Sequence, residues 1–137
     1  MNKVYILGPI HIFGENHISF YKKLVALTRK YFNEVLCTYP DFWDFKGSPR
    51  EFYDMTVKKI TDADLFIAEV SNPSHGVGME LQMATENKIP IIAVAKKEVE
   101  LSSMVLGLPN IIKIIHYNSI EDLTKSIKKE LTNLKVK

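Results

Sequence analysis

The sequence predicts an α/β domain: a three-layer, doubly wound (Rossmann-like) five-stranded parallel sheet with flanking helices. Three observations predict it. Five short apolar runs alternate along the chain with longer amphipathic ones. Most of the short runs are near-continuously apolar, as strands covered on both faces should be. The 137 residues contain no repeat, low-complexity tract or Pro/Gly/Ser-rich linker, so 1–137 reads as one domain. Such alternation implies parallel strands joined by right-handed crossovers.

The elements follow in order. Val4-Tyr5-Ile6-Leu7 is the first strand. Phe20, Leu24, Leu27 and Tyr31 recur at helical steps and give the first helix one apolar stripe. Val35-Leu36-Cys37 is the second strand. Ser48-Pro49-Arg50-Glu51 opens the next helix as a capping box with proline at the first helical position. Leu65–Val70 is the third strand, and the helix after it should begin near Gly76 and end around Asn87. Ile91–Val94 and Ile111–Ile115 are the last strands. Ser119 caps the final helix, which carries Ile120, Leu123, Ile127, Leu131 and Leu134 on one face.

Composition excludes several classes. Hydrophobic residues at 46% and charged residues at 25% are those of an ordinary globular protein, not a disordered or fibrous one. Eighteen Lys+Arg against sixteen Asp+Glu leave +2, too mild for a nucleic-acid groove or an anionic membrane surface. The lone Cys37 makes an internal disulfide or zinc cluster impossible. No apolar run approaches the ~20 residues of a membrane span, and the opening MNKVYILGPI lacks a signal peptide's apolar stretch. The expectation is a cytoplasmic domain with no metal or redox cofactor.

In doubly wound sheets ligands bind beyond the carboxyl ends of the strands. That narrows the search to the loops after Leu7, Tyr39 and Val70. The last of these reads Ser71-Asn72-Pro73-Ser74-His75-Gly76-Val77-Gly78-Met79-Glu80. Gly76 and Gly78 allow close approach of backbone to a ligand, and the helix start favours a phosphate or carboxylate. Glu80, placed in about the first turn, is expected to be ionised there, as suits a nucleophile or general base. Glycines and an acidic residue at such a turn are also ordinary folding devices. After Tyr39, the aromatic segment Tyr39-Pro40-Asp41-Phe42-Trp43-Asp44-Phe45 reads equally as a nucleobase platform or as cover for a core edge.

The stretch Ala63-Asp64-Leu65-Phe66-Ile67-Ala68-Glu69-Val70-Ser71-Asn72-Pro73-Ser74-His75-Gly76-Val77-Gly78-Met79-Glu80-Leu81 resembles the signature of the nucleoside 2-deoxyribosyltransferase family. It is closer to the branch of 2'-deoxynucleoside 5'-phosphate N-hydrolases. Val4-Tyr5-Ile6-Leu7-Gly8-Pro9-Ile10 is similar to the family's first strand and loop, and Leu101-Ser102-Ser103-Met104 to a segment that reaches the neighbouring subunit's phosphate site. The resemblance implies an N-glycosidase acting on 2'-deoxynucleoside 5'-monophosphates. Glu80 would attack C1', form a glycosyl-enzyme ester and be released by water, in keeping with retaining glycoside chemistry. Tyr5 would lie beside the sugar and the carboxylate. Ser74 would bind the 5'-phosphate together with Ser102 of a partner subunit, which makes the expected form a homodimer with shared active sites. Gly8, Pro9, Ile10, Gly76 and Gly78 would line the substrate.

Two departures from the family pattern carry weight. Where the hydrolases have an aspartate eight residues before the position of Asp64, this chain has Thr56. The stripe Phe52, Thr56, Ile60 turns Thr56 inward toward the sugar, while Asp54 reads as a solvated charge four residues before Lys58. The first loop reads Gly8-Pro9-Ile10-His11-Ile12-Phe13-Gly14 in place of an Arg-Gly-Gly stretch, and Pro9 removes an N–H donor. Gly8-Pro9 is more like the transferase side of the family. Two alternatives therefore stand: a deoxyribosyltransferase acting on unphosphorylated deoxynucleosides, and a nucleotide-binding module without turnover.

Overall fold

The computed structural model describes residues 1–9, 11, 12 and 15–136. Its element order is β1 (Lys3–Leu7), β2 (His11–Ile12), β3 (Glu15–Asn16), α1 (Ile18–Thr28), β4 (Glu34–Cys37), α2 (Thr38–Asp41), α3 (Pro49–Ile60), β5 (Leu65–Glu69), α4 (His75–Glu86), β6 (Ile91–Lys96), α5 (Ser103–Leu106), β7 (Ile111–Tyr117) and α6 (Ile120–Val136). Five strands form one parallel sheet in the order β4-β1-β5-β6-β7. Growth outward on both sides of β1 is the doubly wound pattern. All five expected strands are present. The short β2–β3 pair and the single-turn helices α2 and α5 carry no periodic signal and were not expected.

Alternation along the strands splits the core into two faces. Val4 and Ile6 of β1, Leu65 and Ile67 of β5, and Ile92 and Val94 of β6 pack with Phe20, Tyr21 and Leu24 of α1 and Leu123, Ile127 and Leu131 of α6. Tyr5 and Leu7, Phe66 and Ala68, and Ile91 and Ala93 face the other way, onto Ile60 of α3 and Val77, Leu81 and Ala84 of α4. Strands sandwiched in this way bury both faces, and every residue of β1 and β5 is buried.

Local signals set the helix starts. Ser48 accepts from the Glu51 N–H at 3.1 Å while Glu51 Oε1 accepts from the Ser48 N–H at 2.9 Å, completing the capping box. The Asp122 N–H donates to Ser119 Oγ at 3.1 Å. Helix α4 opens at His75 with Ser74 as its cap, one residue before the expected start.

Candidate active site

Gly8 follows β1 directly, against Tyr21 and Glu69. A Cβ built there would lie 2.5 Å from Tyr21 Oη and 2.8 Å from Glu69 Cβ, at a φ of +157°. Only glycine lets the first loop leave the strand this close to its neighbours. The next residue, Pro9, uses its carbonyl to accept from Tyr21 Oη at 2.6 Å. Ile10, Gly14 and the side chain of His11 lie outside the described residues.

Tyr5, three residues earlier on the same strand, points to the α3/α4 face. Its ring meets Phe66 edge-on at 5.2 Å and Phe42 at 5.6 Å. Its hydroxyl donates to Glu80 Oε1 at 2.9 Å, linking β1 to α4. Burial, reinforced by the Glu80 charge, pushes the phenol well above its ordinary range, against a smaller opposing pull from the Thr38 hydroxyl. Tyr5 is therefore a fixed proton donor. Glu80 Oε2 has no hydrogen-bond partner among the described residues and is left with its lone pairs available.

One expectation for Glu80 is corrected here. Burial pushes its carboxyl up to about 7, and the Tyr5 hydrogen bond only partly offsets the rise. The helix field does not keep it fully ionised at neutral pH. Glu80 lies six residues after the Ser74 cap, beyond the first turn of α4, where that field has faded. Desolvation beside the Tyr5 ring decides instead.

Ser74 and Ser102 line one cleft of about 250 Å³ between α4 and α5, with Ser71, Asn72, Gly78 and Glu100. A single chain brings the two serines together, so that arrangement does not itself require a neighbouring subunit. Ser74 Oγ accepts from the Val77 N–H at 3.3 Å and Ser102 Oγ from the Met104 N–H at 3.1 Å. Each hydroxyl keeps its own proton to donate. Asn72 Oδ1, buried in the same wall, has no partner among the described residues. Gly78 borders the cleft and Gly76 the exposed start of α4; at both, a Cβ would meet nothing within 4 Å. Packing does not require either glycine, and the space in front of the helix start is open. Glu80 does not line this cleft; its carboxylate meets Tyr5 instead.

Thr56 is buried, as its stripe predicts, but its Oγ1 donates to the Phe52 carbonyl at 2.8 Å and is occupied within α3. Asp54 is exposed, as expected, yet its partner is Arg50. The guanidinium Nε reaches both carboxylate oxygens at 3.0 and 3.1 Å. Among the aromatics after Tyr39, Phe42 is buried against Tyr5, whereas Trp43 and Phe45 are exposed. Two carboxylates went unnoticed in the sequence. Glu100 lines the serine cleft two residues before Ser102, and its place at the edge of the 101–104 segment is the signal that could have found it. Glu69 is 1% exposed at the end of β5, and a charge inside a run of strand residues buried on both faces is the mark that could have found it. Among the described residues no group of three or more His, Cys, Asp or Glu could hold a metal ion, and no helix is long and apolar enough to cross a membrane.

No family model matches the chain. A curated protein of Syntrophotalea carbinolica, provisionally named 2'-deoxynucleoside 5'-phosphate N-hydrolase 1, is 32% identical over 136 residues, covering 94% of each chain. The chain belongs to this N-hydrolase family. Members of the family are enzymes, and the chain is one of them. Among solved structures, the CMP N-glycosidase BcmB of Clostridium botulinum superposes with a TM-score of 0.74 at 17% identity, covering 94% of this chain and 99% of its own. A 2-deoxyribosyltransferase of Bacillus psychrosaccharolyticus gives 0.65 at 14%, covering 94% and 95%. At these identities the two structures establish that this member of the family shares their fold.

Proposed function

We propose that the enzyme hydrolyses the N-glycosidic bond of 2'-deoxynucleoside 5'-monophosphates, with Glu80 as nucleophile. The Tyr5–Glu80 hydrogen bond, at the ligand end of the sheet in a chain of this family, carries the reading. Glu80 Oε2 attacks C1' as the C1'–N bond breaks, and the base leaves with the bonding electrons and takes up a proton. Water then attacks C1' of the ester, the Glu80 carboxylate departs, and the water's proton passes to solvent. Tyr5 orients the carboxylate and stabilises its charge as it is regenerated. Ser74, with Ser102 of the partner subunit, donates to the phosphate, Thr56 packs beside the sugar, and Gly8, Pro9, Ile10, Gly76 and Gly78 line the substrate. The reading includes a cytoplasmic homodimer with shared sites and no cofactor.

A second reading has one observation in its favour. Glu100 brings a carboxylate into the serine cleft and opposes a dianionic phosphate there. With Gly8-Pro9 in the first loop, it favours deoxyribosyl transfer between unphosphorylated nucleosides.

Chromatography of base released from each monophosphate and from the matching deoxynucleoside, with and without an added free base, separates the two. Release from monophosphates without an acceptor is the expected result. Base exchange confined to unphosphorylated substrates would overturn it in favour of transfer. Tyr5→Phe tests the carrying observation. It removes a hydrogen bond that lowers the Glu80 pKa, so the acidic limb of the kcat/KM profile should move upward from about 7.

A further inference from the structure

Glu69 is the only fully buried carboxylate among the described residues. It lies on the α1/α6 face of the sheet, opposite Tyr5, because strand alternation places it with Leu65 and Ile67. Burying a carboxylate is costly unless its oxygens are satisfied, and both are. Oε1 accepts from the Ser71 N–H at 2.5 Å, and Oε2 accepts from the Tyr117 hydroxyl. Ser71 is tied in turn to β6, its Oγ accepting from the Lys96 N–H at 2.7 Å. Glu69 Cβ also forms the wall against which Gly8 packs, next to the Tyr21 hydroxyl that holds the Pro9 carbonyl. The carboxyl ends of β1, β5, β6 and β7 thus converge on this one side chain.

We propose that Glu69 is a positioning residue: through Ser71, Tyr117 and the Gly8–Tyr21 contact it sets the loops after β1 and β5 in the relative place that the ligand requires. The proposal rests on the reading above for what those loops bind. Glu69 touches no reacting atom and acts across the sheet. The loop after β5 leads within three residues to Ser74 and the start of α4, so an error at Ser71 is passed to the groups around the substrate.

Amide hydrogen exchange and steady-state kinetics on the full chain test it. In Glu69→Ala, exchange at Ser71 should accelerate by at least about tenfold, and KM for the monophosphate should rise at least about fivefold with a smaller change in kcat. Glu69→Gln, whose amide can accept from Ser71 and donate to Tyr117, should restore both. The pH midpoint set by Glu80, on the opposite face, should not move in either variant. Unchanged exchange and KM in a folded Glu69→Ala protein would overturn the proposal. So would acceleration spread evenly through α6 and β7, which is a loss of stability only, or a Glu69→Gln variant no better than Glu69→Ala. If Glu69→Ala does not fold, Tyr117→Phe keeps the ring and removes one of the two bonds, and the same criteria apply. Exchange needs no turnover. A failure of the functional reading would show separately, as a wild-type chain that releases no base.

Discussion

Glu80→Gln is expected to lower base release by roughly 10³-fold or more, and at pH 8 to yield a more stable protein than the wild type. The first effect follows from removing the oxygen proposed to attack C1' while keeping the shape of the side chain. The second follows from the direction of the Glu80 shift. Its carboxyl titrates near 7 in the fold against an ordinary 4.5, so folding favours the protonated form. That contribution is complete below about pH 4.5 and is lost as the pH rises through about 7. Above pH 7 the wild type holds a desolvated charge at a cost of about 2 kcal/mol, after discounting for the partial exposure of Glu80. Glutamine carries no such charge. Denaturant titrations at pH 5 and pH 8 should therefore show a gap between the two proteins that opens with pH. Equal stability at pH 8 would remove the argument for desolvation. Retained turnover would remove Glu80 as nucleophile.

Gly8→Ala should destabilise the fold by about 3 kcal/mol. The new Cβ would meet Tyr21 Oη at 2.5 Å, Glu69 Cβ at 2.8 Å and the Glu69 carbonyl at 3.2 Å. None of these neighbours is free to yield. Tyr21 is held by the Pro9 carbonyl, and Glu69 by Ser71 and Tyr117. A double variant with Tyr21→Phe relieves the first contact and leaves the other two, so it should recover only part of the loss. Urea unfolding of the three proteins measures both numbers. A Gly8→Ala protein as stable as wild type would mean that the loop can leave β1 along another path.

The five strands were legible because burial on both faces leaves an apolar run with no polar alternation, and the capping box at Ser48 because its chemistry is complete within four residues. Thr56 was correctly turned inward by its spacing from Phe52 and Ile60. The Arg50–Asp54 pair was missed because the choice between partners four residues either side depends on side-chain geometry, which spacing does not give. The Tyr5–Glu80 pairing agrees with what the family resemblance implies, although the two residues lie 75 positions apart. The ionisation of Glu80 was misread, since chain position gives the distance from a helix start but not the loss of water around a side chain. Glu100, two residues before Ser102, was passed over because that segment was read for phosphate-binding hydroxyls, and spacing alone does not say which way a loop carboxylate turns.

The open space in front of Gly76 and Gly78 sets helix stability against access to the cleft. Glycine inside a helix weakens it by roughly 0.5–1 kcal/mol relative to alanine, and nothing in the surrounding packing asks for the smaller side chain at either position. A search that ranked substitutions by melting temperature alone would choose alanine at both and obtain a firmer helix. It would also put two methyl groups on the approach to Ser74 and the cleft behind it. On the proposed function, the looseness at the start of α4 is a concession to the ligand, visible as stability left unclaimed.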